Sequence, residues 1–311
     1  MTEHISQRKL DFMGKRHVAL SISAFLVVLS LGSLIFQGLK LGLDFTGGTL
    51  VEVGYAKPVD LEQVRDLLEN HGFEDAAVQH FGTSRELLIR LPSDPELNSA
   101  ELSNKILDVL KSGTDYAPQL RRVEFVGPQV GDELTEKGGL AMLFALFGIL
   151  IYVAWRFEYR FALGSIAALI HDVIITMGFF SLTQLEFDLT VLAAVLAVVG
   201  YSLNDTIVVF DRIRENFRRL RRGGPIEIIN ASINQTLSRT LITSFTTLLV
   251  LLALAFLGGE IIRNFAIALI LGVVVGTYSS IYIASAFLLV LKVKREDLLL
   301  PEKPEGETDL L

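Results

Sequence analysis

Gly200-Tyr-Ser-Leu-Asn-Asp-Thr-Ile-Val-Val-Phe-Asp-Arg-Ile-Arg-Glu-Asn216 follows directly on an apolar run, Leu189 to Val199, and leads into a row of arginines. Asp205 therefore lies inside a segment that otherwise has the composition of a membrane span. A carboxylate at the centre of a membrane helix costs roughly 2.5–3.5 kcal/mol on insertion scales and usually marks an ion or substrate path. An Asp near a helix end, reaching for the interface, is the plainer alternative, and the rest of the chain has to decide between the two.

The chain of 311 residues is 51% hydrophobic with a mean hydropathy of +0.48, too apolar for an ordinary soluble protein. Apolar runs long enough to cross a bilayer explain the excess. There is no cysteine, so disulfides are excluded. The net charge of -7 hides a segregation of signs, with arginines in short loops and acids in one long segment. No basic domain exists to neutralise phosphates, which argues against a nucleic-acid partner.

Residues 1–16 are polar and carry Arg8, Lys9, Lys15 and Arg16, and an apolar run follows from Val18 to Phe36. A signal peptide also opens on a basic stretch, but its apolar core is only about 7–15 residues and ends at a small-residue cleavage site. This run is longer, and Gln37-Gly-Leu-Lys40 is no such site, so residues 17–37 read as a retained first span. Further apolar runs lie at about Gly139–Trp155, Phe161–Leu182, Leu189–Phe210, Thr236–Leu257 and Phe265–Leu291, which makes six spans. If they alternate, the N-terminus, Arg156 with Arg160, the cluster Arg212 to Arg222 in a loop over 212–233, and Lys292, Lys294 and Arg295 share one side. The opposite loops hold Glu186 and Asp188, then Glu260 with Arg263. This is the positive-inside pattern, with both termini cytoplasmic. The arginine loop suits anionic headgroups of membrane lipids. The tail, residues 293–311, has a disordered composition beyond Pro301.

The segment 38–136 must then sit outside the membrane. Thr49–Tyr55 alternates as a strand, and Asp60 can cap a helix to about Asn70 with Val64, Leu67 and Leu68 on one face. Ala76–Phe81 and Glu86–Leu91 read as strands joined by a turn over Gly82–Arg85. Glu96–Lys111 has helical spacing, and Arg121–Val126 is a last strand. The order βαββαβ is that of a ferredoxin-like module. Acids outnumber bases two to one between Leu39 and Glu136, and no nucleophile arrangement, phosphate loop or His/Cys cluster stands among them. A docking module is expected, not an enzyme, and no cofactor or metal. Leu41-Gly-Leu-Asp-Phe-Thr-Gly-Gly48 and Gly127-Pro-Gln-Val-Gly131 flank the module. Their residues Gly42, Asp44, Gly47, Gly48, Gly127, Pro128 and Gly131 either punctuate turns or couple the module to the membrane part.

Polar residues are unevenly spread over the spans. Ser165, Ala168, Asp172 and Thr176 share a face of the third span; Ala193, Ala197, Gly200 and Asn204 make a small face of the fourth, with Asp205 beside it. Thr236, Arg239, Thr243 and Thr246 form a stripe on the fifth, and Gly272, Gly276 and Ser280 a small-xxx-small series on the sixth. The third to fifth spans should face protein or water and the first two should be peripheral. Asp205 lies about 10 Å along its helix from Arg212, and Arg239 starts out from the same loop, so the two can meet at one depth. Burial and a nearby guanidinium act on a carboxyl in opposite senses, which can poise it to load and release protons. Asp172 and Asn204 would support that path; pairing with a neighbour is the alternative for Asp172, and snorkelling for Arg239. His171-Asp172 is not a metal pair, because adjacent helix residues point about 100° apart and no second His follows at ligand spacing.

The two glycine motifs, His171-Asp172, Gly200 to Asp205, Asp211-Arg-Ile-Arg-Glu-Asn216 and Asn234-Gln-Thr-Leu-Ser-Arg-Thr240 occur in one order from Leu41 to Lys294. Together they resemble the SecF family, protein-export membrane proteins related to RND-type transporters. The resemblance implies a SecD partner with six further spans, a place beside the SecYEG channel in the cell inner membrane, and secretory preproteins as substrates. It implies that the proton motive force assists translocation after the ATP-driven SecA step, with Asp205 and Arg239 in the proton pathway. A passive subunit whose polar seam only pairs helices, and half of another RND-type exporter, are the rival readings.

Overall fold

Apolar length marks where a chain crosses a bilayer, whereas caps mark where a helix stops, and in this protein the two differ by whole turns. The computed structural model describes residues 10–92, 99–113, 116–220 and 223–294. The expected helix start at Glu96, Arg221 and Arg222 of the arginine row, residues 1–9 and the tail from Arg295 onward lie outside the described residues. In order, the elements are α1 (Arg16–Phe36), α2 (Leu43–Thr46), β1 (Gly48–Gly54), α3 (Leu61–Glu69), β2 (Ala77–Phe81), β3 (Thr83–Leu91), α4 (Ser99–Gly113), β4 (Gln119–Val126), α5 (Pro128–Arg156), α6 (Tyr159–Thr183), α7 (Leu189–Arg219), α8 (Pro225–Leu257), α9 (Glu260–Ser279), a π-helical segment (Ser280–Ala284) and α10 (Ser285–Val290).

Six stretches, carried by α1, α5, α6, α7, α8 and α9 to α10, are long and apolar enough to cross a membrane. Three helices outrun their apolar runs. α5 starts at Pro128, not near Gly139, because Gly127 and Pro128 supply an extended N-cap and a first-turn proline. α7 continues to Arg219 and α8 starts at Pro225, where Glu227 reaches back to the Gly224 amide at 3.3 Å. The expected loop over 212–233 is therefore mostly helix. Its polar residues bond across the two helices instead of looping: Asn216 donates to Ser232 Oγ and to Gln235 Oε1, both at 2.8 Å.

The outer module has the expected βαββαβ order, and its sheet runs β2-β3-β1-β4 with every pair antiparallel. Strand alternation divides the side chains between two faces. Val51, Val53, Leu87 and Ile89 pack on Val64, Leu68, Leu102, Ile106 and Leu110 of the two helices. Leu50 and Leu88 on the other face pack against Leu43, toward the membrane part. Asp60 caps α3, accepting from the Glu62 amide at 2.9 Å. The expected four-residue turn is shorter: β3 begins at Thr83, and Gly82, at φ +72°, reverses the chain nearly alone.

Within the membrane part, α6, α7 and the last span form the buried centre, and α5 has few fully buried residues, although Val153 with Leu146 and Ile149 packs on the core. α8, like α1, has only a small part of its span buried within this chain, and its exposed side carries the polar stripe of Arg239, Thr243 and Thr246 that is expected to face protein or water. The last span owes its central place to its small residues. A Cβ on Gly272 would stand 2.0 Å from Val198 Cγ2, and one on Gly276 3.0 Å from Ser202 Cβ. Backbones approach this closely only where side chains are absent.

The chain before α1 is anchored as well. Asn234 Oδ1 accepts from the Leu10 amide at 2.9 Å and its Nδ2 donates to the Leu10 carbonyl at 2.8 Å; Asn230 Oδ1 accepts from the Phe12 amide at 2.8 Å. One turn apart on α8, the two amides hold the segment much as a neighbouring strand would. Met13 is fully buried in the main membrane core. Asn234→Ala removes two of these bonds, each worth about 1 kcal/mol net. Faster hydrogen exchange near Leu10, with the rest of α8 unchanged, is the expected result.

Candidate functional site

Depth along the antiparallel pair α7 and α8 is read from its cross-links. Arg212 Nε donates to Gln235 Oε1 at 2.6 Å, and Tyr201 meets Ser244 at 3.5 Å. Arg239 lies between Gln235 and Ser244, so it falls at a depth between Arg212 and Tyr201, where Asp205 stands. The Asp205 carboxyl is 4% exposed, and its Oδ2 has no hydrogen-bond partner. Among the described residues no ion pair joins it to Arg239. Thr240, the next residue of α8, is 1% exposed, and its hydroxyl also lacks a partner. Buried polar groups are ordinarily satisfied, and two orphans at one depth are unusual.

Asp172 is held quite differently. It is 1% exposed; Oδ1 faces His171 Nδ1 at 2.8 Å, and Oδ2 accepts from Ser202 Oγ at 2.5 Å and Ser279 Oγ at 2.7 Å. Its face is buried throughout: Ser165, Ala168 and Thr176 are each 0% exposed. The structure does not bring Asn204 to this group. Ala193, Ala197, Gly200 and Asn204 all point out of the bundle, on the side of α7 away from Ser202 and Thr206. On α8, Thr236 and Thr240 are buried, whereas Arg239, Thr243 and Thr246 are exposed. Among the described residues, nothing covers the seam of small and polar residues on α7 and α8. Among the described residues no three His, Asp or Glu side chains converge as a metal site would require.

The two glycine motifs form one joint. Asp44 Oδ2 accepts from the Leu189 amide at 3.0 Å, adding to the Asp188 cap on the first turn of α7. The Gly42 amide donates to Phe187 O, and the Phe187 amide to Lys40 O, both at 2.8 Å. Gly47 and Gly48 take φ +67° and +123°. A Cβ on Gly131 would stand 3.0 Å from Gly47 N, so the start of the module rests directly on the first turn of α5. Arg90 and Glu186 add an ion pair at 3.2 Å between the sheet and the α6–α7 link. Asp44→Ala removes a cap and is expected to cost about 1 kcal/mol, seen as a lower melting temperature that Asp44→Asn largely restores.

Sequence reasoning missed the hydroxyls of Ser202, Thr206 and Ser279. Single serines and threonines in an apolar run carry no signal until packing pairs them. Ser280, read as a small residue for close contact, also bonds to Thr206 at 2.9 Å.

Residues 106–294 match the family described as protein export membrane protein SecD/SecF, C-terminal, and residues 32–59 match the SecD/SecF GG motif, which includes Gly47 and Gly48. The chain is 54% identical over 306 residues to protein translocase subunit SecF of Vibrio alginolyticus, covering 98% of this chain and 97% of that one. It is 53% identical over 301 residues to the SecF of Pseudomonas aeruginosa, covering 96% and 97%. Among solved structures, SecDF from Thermus thermophilus, a translocon-associated membrane protein, superposes with a TM-score of 0.84 at 41% identity, covering 94% of this chain and 40% of that chain. SecDF in its super-membrane-facing form gives 0.69 at 42% identity, covering 92% and 39%. This chain therefore spans about two fifths of those longer chains. With the motifs, the six spans and the outer module all in register, the chain belongs to the SecF family of protein-export membrane proteins.

Proposed function

We propose that this protein is the SecF half of a SecD–SecF assembly that uses the proton motive force to help draw secretory proteins across the cell inner membrane. It would act beside the SecYEG channel, after the ATP-driven SecA step, as a transport subunit and not as an enzyme. Both termini, the arginine-rich end of α7 and the start of α8 would lie in the cytoplasm, as the positive-inside rule requires. The reading rests on the buried Asp205 carboxyl, with an oxygen free of hydrogen bonds, at the depth of Arg239 and beside an uncovered polar seam. Polar side chains on that seam are costly against lipid, so a second set of spans has to cover it. SecD is the cover we infer, because in SecDF a chain of more than twice this length contains the matching fold. Each proton that crosses supplies about 2.3 kcal/mol per 100 mV. The joint at Gly42–Gly48 and Gly127–Gly131 would pass that energy to the outer module.

A passive reading is favoured by one observation: Ala193, Ala197 and Gly200 suit close helix pairing without any proton. Gradient-driven export by vesicles that carry Asp205→Asn separates the two. A carrier role predicts an assembled but uncoupled complex, and a passive role predicts weaker association alone.

A further inference from the structure

The turn of α7 that carries Asp205 is tied to the last span on both sides. Ser202, three residues before it, and Ser279 of α9 both donate to Asp172 Oδ2. Thr206, the residue after it, bonds to Ser280 at 2.9 Å, and Ser280 donates in turn to the Gly276 carbonyl at 2.9 Å. Ser280 is the first residue of the π-helical segment Ser280–Ala284. Helices rarely adopt π geometry, and where they do the segment is frequently functional. An α-helix advances about 100° per residue, so a π turn that relaxes to α would rotate the helix beyond it by about that angle. Ser285 donates back to Ser280 O at 3.3 Å across the same turn.

We propose that Asp172 is a positioning residue for Asp205: through Ser202 and Ser279, and with the Thr206–Ser280 bond, it clasps α7 to the π segment, so that a change at Asp205 moves the last span. Asp172 holds the helices together in this scheme, with two hydroxyls donating to Oδ2 and His171 Nδ1 facing Oδ1. The proposal rests on the reading of Asp205 as the proton carrier. The titratable and charged side chains close to the clasp are His171 on α6, Tyr201 and Asp205 on α7, Arg239 on α8, and Tyr278 and Tyr282 on the last span. His171 stacks on Tyr278 with ring centroids 6.4 Å apart, and Tyr278 lies 5.2 Å from Tyr282.

Thr206→Val removes one hydroxyl at nearly constant shape, and Ser202→Ala removes one donor to Asp172. The whole SecD–SecF complex, reconstituted with each variant, is assayed for gradient-driven export across a range of pH, beside Asp205→Asn. We expect intact complexes, an export rate lower by roughly two- to thirtyfold, the range for residues that modulate coupling, and a displaced pH midpoint. Thr206→Ser should restore both rate and midpoint. If Ser202→Ala does not assemble, Ser279→Ala, which removes the other hydroxyl donor to Asp172, takes its place beside Thr206→Val. An unmoved midpoint in Thr206→Val, whatever its rate, beside an inactive Asp205→Asn, overturns the positioning role and leaves the carrier reading standing. Normal export by Asp205→Asn overturns the carrier reading itself.

Discussion

Asp205→Asn is expected to leave the complex assembled and to reduce gradient-driven export to the level seen when the gradient is collapsed. The substitution keeps the size and polarity of the side chain but removes its ability to exchange a proton. Asp205 makes no ion pair that would be broken, and its Oδ2 has no hydrogen-bond partner to lose. The fold therefore has little reason to change. If Asp205 is the carrier, what is withdrawn is the energy of proton entry, about 2.3 kcal/mol per 100 mV, a bias of roughly fiftyfold. Arrival of a protease-protected preprotein, measured with and without a protonophore, reports this directly. A variant that remains as sensitive to the protonophore as the parent would remove Asp205 from the mechanism.

Gly48→Ala should be the most damaging of the conservative changes at the module's joint. Gly48 holds φ +123°, where a side chain is strained by about 1–3 kcal/mol, and its Cβ would stand 2.4 Å from the Leu91 carbonyl oxygen. That oxygen belongs to the backbone of β3, so relief requires moving the strand. The seat of Leu50 and Leu88 on Leu43 would shift with it. Gly127→Ala is the matched control, since the nearest atoms to a Cβ there are Phe125 ring carbons at 3.9 Å and 4.0 Å. Protease sensitivity of the outer module and the melting temperature in detergent should separate the two variants clearly. Equal behaviour would mean that the joint is looser than its packing implies.

The βαββαβ order and the six spans could be read in advance because both follow from the period of apolar residues along the chain. Helix ends were read less well. Gly127-Pro128 starts a helix whose first turns are polar, and Gly224-Pro225 one whose first turns mix isoleucines with polar residues, so hydropathy places both starts a few turns late. The depth match of Asp205 and Arg239 was legible from helix rise alone. Asp172 and Asn204, which the sequence groups with them, part in the structure: Asp172 bonds to Ser202 and Ser279, and Asn204 lies on the exposed side of α7. A helical wheel orders the residues around one axis, but it does not say which side of the wheel meets another helix.

By itself, the sequence determined that this chain has six membrane spans, carries an α+β module between the first two and places ionisable groups where charge is costly. Those properties depend on local composition and spacing. Only the tertiary structure decided that Asp172 is saturated by Ser202 and Ser279 while Asp205 retains an oxygen without a partner. The physical reason is that hydrogen-bond satisfaction belongs to pairs of residues far apart in the chain, and packing, not period, selects the pairs.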